Sequence, residues 1–236
     1  MSYFRLSNGI FTLGLNAQEI TVYTYLCSLF PIAATLQGGI VVSVKQRTIA
    51  VNCGMKSPVT VSGTIDRLRE KGLVEHLERR TKANGQRGAY SYAVTVQQTD
   101  KGYFTVDRRV FGMLSPRQMM VYLFLCKSFS TVLHDCWNSY NDISAQIGMK
   151  RESVVQIIGE LVNIGLIVRM QRKSRENRRV YVDNHYSIVR FAVGHIRMKM
   201  PKMRRTAKTV GSVIQFHPAA LCRICPEVRS AVWGSP

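Results

Sequence analysis

Residues 54–74 read GMKSPVTVSGTIDRLREKGLV, and residues 148–167 read GMKRESVVQIIGELVNIGLI. Both stretches open on Gly-Met-Lys, continue with apolar residues at helical spacing, and close on Gly-Leu and a β-branched residue. In the first, Ser57 suits an N-cap and Pro58 the first helical position, where a missing N–H leaves nothing unpaired. Val61, Ile65 and Leu68 share one helix face, as do Val154, Ile158 and Leu161 in the second stretch. Gly72 and Gly165 end the two helices. A short helix over about Lys45 to Asn52 precedes the first glycine turn, and one over about Ser139 to Ile147 precedes the second. The pattern is helix, glycine turn, helix, a motif that places its second helix in the major groove of DNA.

The match extends outward from these stretches. Tyr3-Phe4 recurs as Tyr103-Phe104, Phe11 as Phe111, and Leu15-Asn16 to Val22-Tyr23 as Leu114-Ser115 to Val121-Tyr122. Cys27 and Phe30 recur as Cys126 and Phe129, and Ile49 as Ile143. Tyr3 to Val94 and Tyr103 to Val189 therefore follow one plan, and an internal repeat fixes the folding unit. In each unit a first helix starts at a capping-box pattern, Asn16 with Glu19 and Ser115 with Gln118. Its apolar stripe runs through Ile20, Tyr23, Leu26, Cys27 and Phe30, or through Met119, Tyr122, Leu123, Cys126 and Phe129. Ile40 to Ser43 reads as a short strand.

After each Gly-Leu step an apolar strand leads into a loop rich in arginine. Arg79 to Gly88 form the first loop and Arg172 to Arg179 the second. The returning strands carry Tyr90 and Tyr92, or Tyr181 and Tyr186. A hairpin attached to a helix-turn-helix is a winged helix.

The run Arg47-Thr48-Ile49-Ala50 to Gly54-Met55-Lys56, then Val59-Thr60-Val61 to Gly72-Leu73-Val74, resembles bacterial winged helix-turn-helix proteins. The nearest in character is the module of plasmid and phage replication initiators, with MarR-like regulators next. The resemblance implies double-stranded DNA binding, with the second helix in the major groove and the wing near the backbone. It covers about 150 residues over the two copies. One position departs from the family. Ser139 stands where the family favours a cap, and Lys45 holds that place in the first copy. The fold expected is α+β, mainly α: two tandem winged helix-turn-helix domains, 1–98 and 99–190, with a basic C-terminal extension, 191–236.

Charge supports the same direction. The 236 residues hold 33 Lys+Arg against 14 Asp+Glu, a formal +19, and each of the three segments has a basic excess. Such a surface attracts polyanions, nucleic acid first, with an anionic membrane or ribosomal RNA as alternatives. The 46% apolar content fits a folded chain. No residue from Ile20 to Val44 is charged, but Pro31 and Gly38-Gly39 interrupt the run, and a membrane span needs ~20 mostly apolar residues in one piece. The six cysteines show no disulfide framework and fit a reducing cytosol. No signal peptide is recognised, and the expected location is the bacterial cytoplasm, at the nucleoid or on a plasmid.

The expected DNA-binding residues fall into three groups. Lys56, Ser57, Thr60, Ser62, Gly63 and Arg67 lie on the first reading helix. Small hydroxyls there suit phosphates and close approach. Lys150, Arg151, Ser153 and Gln156 lie on the second, where Arg pairs with guanine and Gln with adenine. The wings contribute Arg79, Arg80, Lys82 and Arg87, then Arg172, Lys173, Arg175, Arg178 and Arg179, as phosphate or minor-groove contacts. The alternative for any one of these residues is a solvated surface.

Six of the twelve residues from Arg197 to Lys208 are basic, with methionines interleaved, and Pro201 argues against one continuous helix. The tail reads as an arm that strengthens binding without specificity. His217, Cys222 and Cys225 make one weak Cys-x2-Cys pattern that lacks a clear fourth zinc ligand, and neither a metal nor a cofactor is expected. No phosphate loop and no catalytic constellation is found, so the expectation is a protein that is not an enzyme. The leading function is a sequence-specific duplex-DNA binder of a plasmid, phage or mobile element, acting in replication initiation or transcription regulation. It would form a homodimer or meet the replication or transcription machinery. The alternative is an RNA-binding or protein-bridging winged-helix protein.

Overall fold

The structure, a computed structural model, describes residues 3–29, 39–76, 79, 81, 84–86, 88–97, 102–130, 132–173 and 181–189, with the backbone alone at 171–173 and 181–183. The first half contains β1 (Tyr3–Ser7), a 3-10 turn (Asn8–Thr12), α1 (Ala17–Ser28), β2 (Ile40–Val44), α2 (Gln46–Asn52), α3 (Pro58–Glu70), β3 (Val74–His76) and β4 (Tyr90–Val94). The second half contains β5 (Tyr103–Asp107), a 3-10 turn (Arg108–Val110), α4 (Pro116–Ser128), β6 (Cys136–Trp137), α5 (Tyr140–Ile147), α6 (Arg151–Ile164), β7 (Ile167–Lys173) and β8 (Tyr181–Ile188). The order of elements is the same in both. Each half has a small antiparallel sheet, β2-β4-β3 and β6-β8-β7. Tyr92 sits between Val42 and His76 in one sheet, and Tyr186 between Cys136 and Arg169 in the other. Both rings are fully buried. The fold is α+β, about half helical with small sheets, and winged-helix-like.

The caps explain where the helices begin. Asn16 Oδ1 accepts from the N–H groups of Gln18 and Glu19 at 2.9 and 3.0 Å, and Glu19 Oε2 accepts from Asn16 N at 3.0 Å. At α4 the Ser115 N–H donates to Gln118 Oε1 at 2.8 Å. Ser139 Oγ accepts from Asp142 N at 3.1 Å to start α5. Lys45 has no side-chain capping bond, and α2 begins one residue later than the sequence pattern indicates, at Gln46. Glycine accounts for one more terminus: Gly165 closes α6 at φ +81°, in the left-handed region.

Two features differ from the sequence reading. The first is α1, which presents no single stripe: Thr21, Val22, Thr24 and Tyr25 are buried along with Ile20, Tyr23 and Leu26. A helix buried on all sides has partners on all sides. Here α1 packs on α3 of its own half and on α4 of the other. Phe30, assigned to the same stripe, lies outside the described residues. The second is the junction of the halves. Tyr3–Ser7 and Tyr103–Asp107 form a two-stranded antiparallel sheet, with Phe4 opposite Val106 and Leu6 opposite Phe104. Phe4 lies 6.0 Å from Phe111, and the repeat-related pair Phe11 and Phe104 lies 6.3 Å apart. Tyr25 meets Phe111 edge-on at 5.1 Å. Burial of such aromatic side chains removes 150–250 Å² of surface each, so the junction is part of the core.

The junction is not symmetric. The Asn52 carbonyl accepts from Gly112 N at 2.7 Å. A Cβ on Gly54 would lie 2.5 Å from the Leu114 carbonyl oxygen, whereas one on the repeat-related Gly148 would meet nothing within 4 Å. The glycine turn of the first half is therefore seated against the start of α4. None of the described helices is long and apolar enough to cross a membrane.

Candidate nucleic-acid interface

The site is built from α2, its turn and α3, and from α5, its turn and α6. Val61, Ile65 and Leu68 are fully buried, as are Val154, Ile158 and Leu161. Each such side chain contributes about 1.5–3 kcal/mol by leaving water, which fixes the rotation of each helix. Their opposite faces are open. Lys56, Pro58 and Val59 are exposed at the start of α3, and Lys150, Arg151, Glu152 and Gln156 at the start of α6.

The expected contact residues divide by what they touch. Ser57 caps α3: its Oγ accepts from Thr60 N at 3.3 Å and lies 3.1 Å from Thr60 Oγ1. Both hydroxyls are thus tied to the helix end. Ser62 and Gly63 are half-buried, and a Cβ on Gly63 would meet only Arg67 Nη1, at 3.9 Å. Among the described residues, no second helix presses on Gly63. Arg67, 43% exposed at its side chain, is tied to α1. Its Nε donates to Glu19 Oε1 at 2.9 Å, and its Nη2 to Gln18 Oε1 and Thr64 Oγ1 at 3.3 and 3.2 Å. Lys71 completes the clasp, with Nζ 2.7 Å from Glu19 Oε2 and from the Gly14 carbonyl. Burial pushes the Glu19 carboxyl up, but Lys71, the Asn16 N–H and Arg67 outweigh it and hold Glu19 below the usual carboxylate range.

In the second half Lys150 is the N-cap residue of α6, exposed and without a side-chain capping bond. The Arg151 guanidinium lies 5.8 Å from the Tyr140 ring centroid. Ser153 is half-buried. Gln156 donates to Glu160 Oε1 at 2.9 Å, and Glu160 Oε2 accepts from Gln118 Nε2 at 2.7 Å. Among the wing residues, Arg79 donates to the Gly88 carbonyl at 3.1 Å and stacks over Tyr90 at 4.4 Å. Arg80, Lys82, Arg87, Arg175, Arg178 and Arg179 lie outside the described residues, as do the basic tail and His217, Cys222 and Cys225. Arg172 and Lys173 are placed by backbone alone, at the end of β7.

Sequence reasoning passed over two groups. Lys45 and Arg47 are exposed at the start of α2, and the unfilled cap at Lys45 was the available signal. Val59 is 80% exposed. An apolar residue off the 61-65-68 face was its signal.

The core thiols are packing groups. Cys27, Cys53, Cys126 and Cys136 are free. Burial pushes Cys27, Cys126 and Cys136 up to about 12, so they stay protonated at neutral pH. Among the described residues no group of three or more His, Cys, Asp or Glu could hold a metal.

No protein-family model and no curated protein matches the chain. Among solved structures, the crystal structure of the Pi initiator protein in complex with iteron DNA is similar, with a TM-score of 0.51 and 11% sequence identity. The match covers 80% of this chain and 98% of that one. At that identity the likeness is one of fold.

Proposed function

We propose that this protein is a sequence-specific duplex-DNA binder built as two tandem winged helices, with α3 and α6 as the reading helices. One observation carries the reading: α3 and α6, each preceded by a short helix and a glycine turn, each bury one face and leave the opposite face open at the N-terminal end. The formal charge of +19 makes a polyanion the natural partner. The Pi initiator protein, similar in fold, was crystallised with iteron DNA, which supports replication initiation on a plasmid, phage or mobile element over transcription regulation. The role is non-enzymatic and sited in the bacterial cytoplasm.

Two readers in one polypeptide act as a covalent dimer. They raise the effective concentration of the second contact and suit two half-sites about one helical turn apart. Because α3 and α6 differ in sequence, the half-sites differ. The test is selection from a randomised duplex pool with the full chain, followed by footprinting. Clustered, repeated sites at an origin support initiation, and a single promoter site supports regulation. Failure to enrich any duplex, or competition by double-stranded RNA equal to that by duplex DNA, overturns the proposal.

A further inference from the structure

Position for position, the open faces of the two reading helices differ in chemical kind. Counted from Val61 and Val154, Pro58, Val59, Ser62 and Gly63 on α3 match Arg151, Glu152, Val155 and Gln156 on α6. Three of the α6 set, Arg151, Glu152 and Gln156, are charged or carry an amide, and Val155 is the exception. The α3 set has no charge and no long donor.

Val59 is the centre of that contrast. It is the second residue of α3, as Glu152 is of α6. Its side chain is 80% exposed and belongs to no core face. Four residues later, and so on the same face, Gly63 has room for a Cβ that the chain leaves unused. Glycine weakens a helix interior relative to alanine, and among the described residues no neighbouring element requires it here. Together Val59 and Gly63 make a low, apolar strip just after the exposed Lys56. The basic surroundings select an anionic occupant, and the strip lacks hydrogen-bonding groups for polar base edges. The apolar feature that a duplex shows in its major groove is the thymine 5-methyl group.

We infer that α3 reads thymine methyl groups through Val59, with Gly63 admitting the close approach, whereas α6 reads polar base edges, with Glu152 accepting from a cytosine amino group. The inference rests on the duplex-binding reading above. It adds Val59 and Glu152 as specificity-determining residues and assigns a thymine-bearing half-site to α3.

The experiment is parallel duplex selection with the full-length wild type, V59A and E152Q. Thermal unfolding shows that the variants fold; both positions are exposed. V59A is expected to lose a thymine preference in one half-site alone, and E152Q a cytosine preference in the other. In the selected duplex, deoxyuridine at the Val59-dependent position removes only the methyl group. That change is expected to weaken wild-type binding by about three- to tenfold and to leave V59A binding unchanged. Equal wild-type affinity for the thymine and deoxyuridine duplexes, or unaltered preferences in both variants, overturns the inference while duplex binding stands. If the wild type enriches no duplex, the underlying reading itself has failed, and the strip is then a protein-docking surface.

Discussion

Arg67 Nε closes on Glu19 Oε1 at 2.9 Å, tying α3 to α1. The repeat-related positions hold Glu160 and Gln118, joined at 2.7 Å and tying α6 to α4. The donor and acceptor helices are exchanged between the halves. One structural position, the clasp from α1 to α3 and from α4 to α6, is kept by two different pairs. A buried carboxylate needs such partners. Glu19 is 3% exposed at the side chain, and an unpaired charge there would be strongly destabilising.

This exchange can be tested as a cycle. R67E sets two carboxylates against each other and is expected to destabilise the fold. Adding E19Q recreates the pairing of the second half and is expected to recover part of the loss, with a coupling of about 0.5–3 kcal/mol in urea unfolding. Because Arg67 is 43% exposed and Lys71 also holds Glu19, R67A alone is expected to cost only about 1–2 kcal/mol. Additive effects of R67E and E19Q would show that the two side chains do not act as a clasp.

The same clasp gives a pH dependence. The folded-state pKa of Glu19 lies below its ordinary value of 4.5. Its contribution is therefore complete above about pH 4.5 and is lost as the pH falls through the folded value. Urea midpoints measured from pH 6 to 3 are expected to fall less steeply for E19Q than for the wild type at the acid end. Parallel curves would contradict this.

Gly54 and Gly148 occupy the same turn position at φ +61° and +64°, but only Gly54 faces a backbone carbonyl. G148A is expected to cost about 1–2 kcal/mol for the left-handed conformation alone. G54A adds a clash at 2.5 Å from the Leu114 oxygen and is expected to cost about 2–5 kcal/mol. Equal losses in thermal unfolding would mean that the seat of the turn against α4 contributes nothing.

Lys45 precedes α2 without a capping bond, where Ser139 caps α5. K45S is expected to stabilise the protein by about 0.5–2 kcal/mol while weakening DNA binding through the lost cation. S139A is expected to destabilise by a similar amount. A neutral K45S in urea unfolding would show that the end of α2 is satisfied in another way.

The helices α3 and α6 were legible in the sequence because their evidence is local. Val61, Ile65 and Leu68 lie within eight residues, and a period of 3.6 shows through them. The surroundings of α1 were less legible. Its second buried face exists for α4, about 100 residues away, and one amphipathic stripe reports one partner. β1 and β5 were recognised as repeated text but not as strands, since each has the other as its pairing partner about 100 residues away and no local turn marks the pair. Arg67 was read as a groove contact because it lies beyond the apolar face, and its pairing with Glu19, 48 residues upstream, was not visible from local spacing. Val59 escaped a search for hydrogen-bond donors because it has none to offer.

The measurement that bears most directly on the paired-reader proposal is methylation protection of guanine N7 on a bound duplex that carries a guanine within or beside each half-site, with the full chain bound. N7 lies in the major groove. The expected result is two protected patches about one helical turn apart, with R151A losing protection in one patch and keeping the other. A single patch that R151A removes entirely, or N7 atoms that stay reactive while the chain is bound, would contradict two helices reading the major groove.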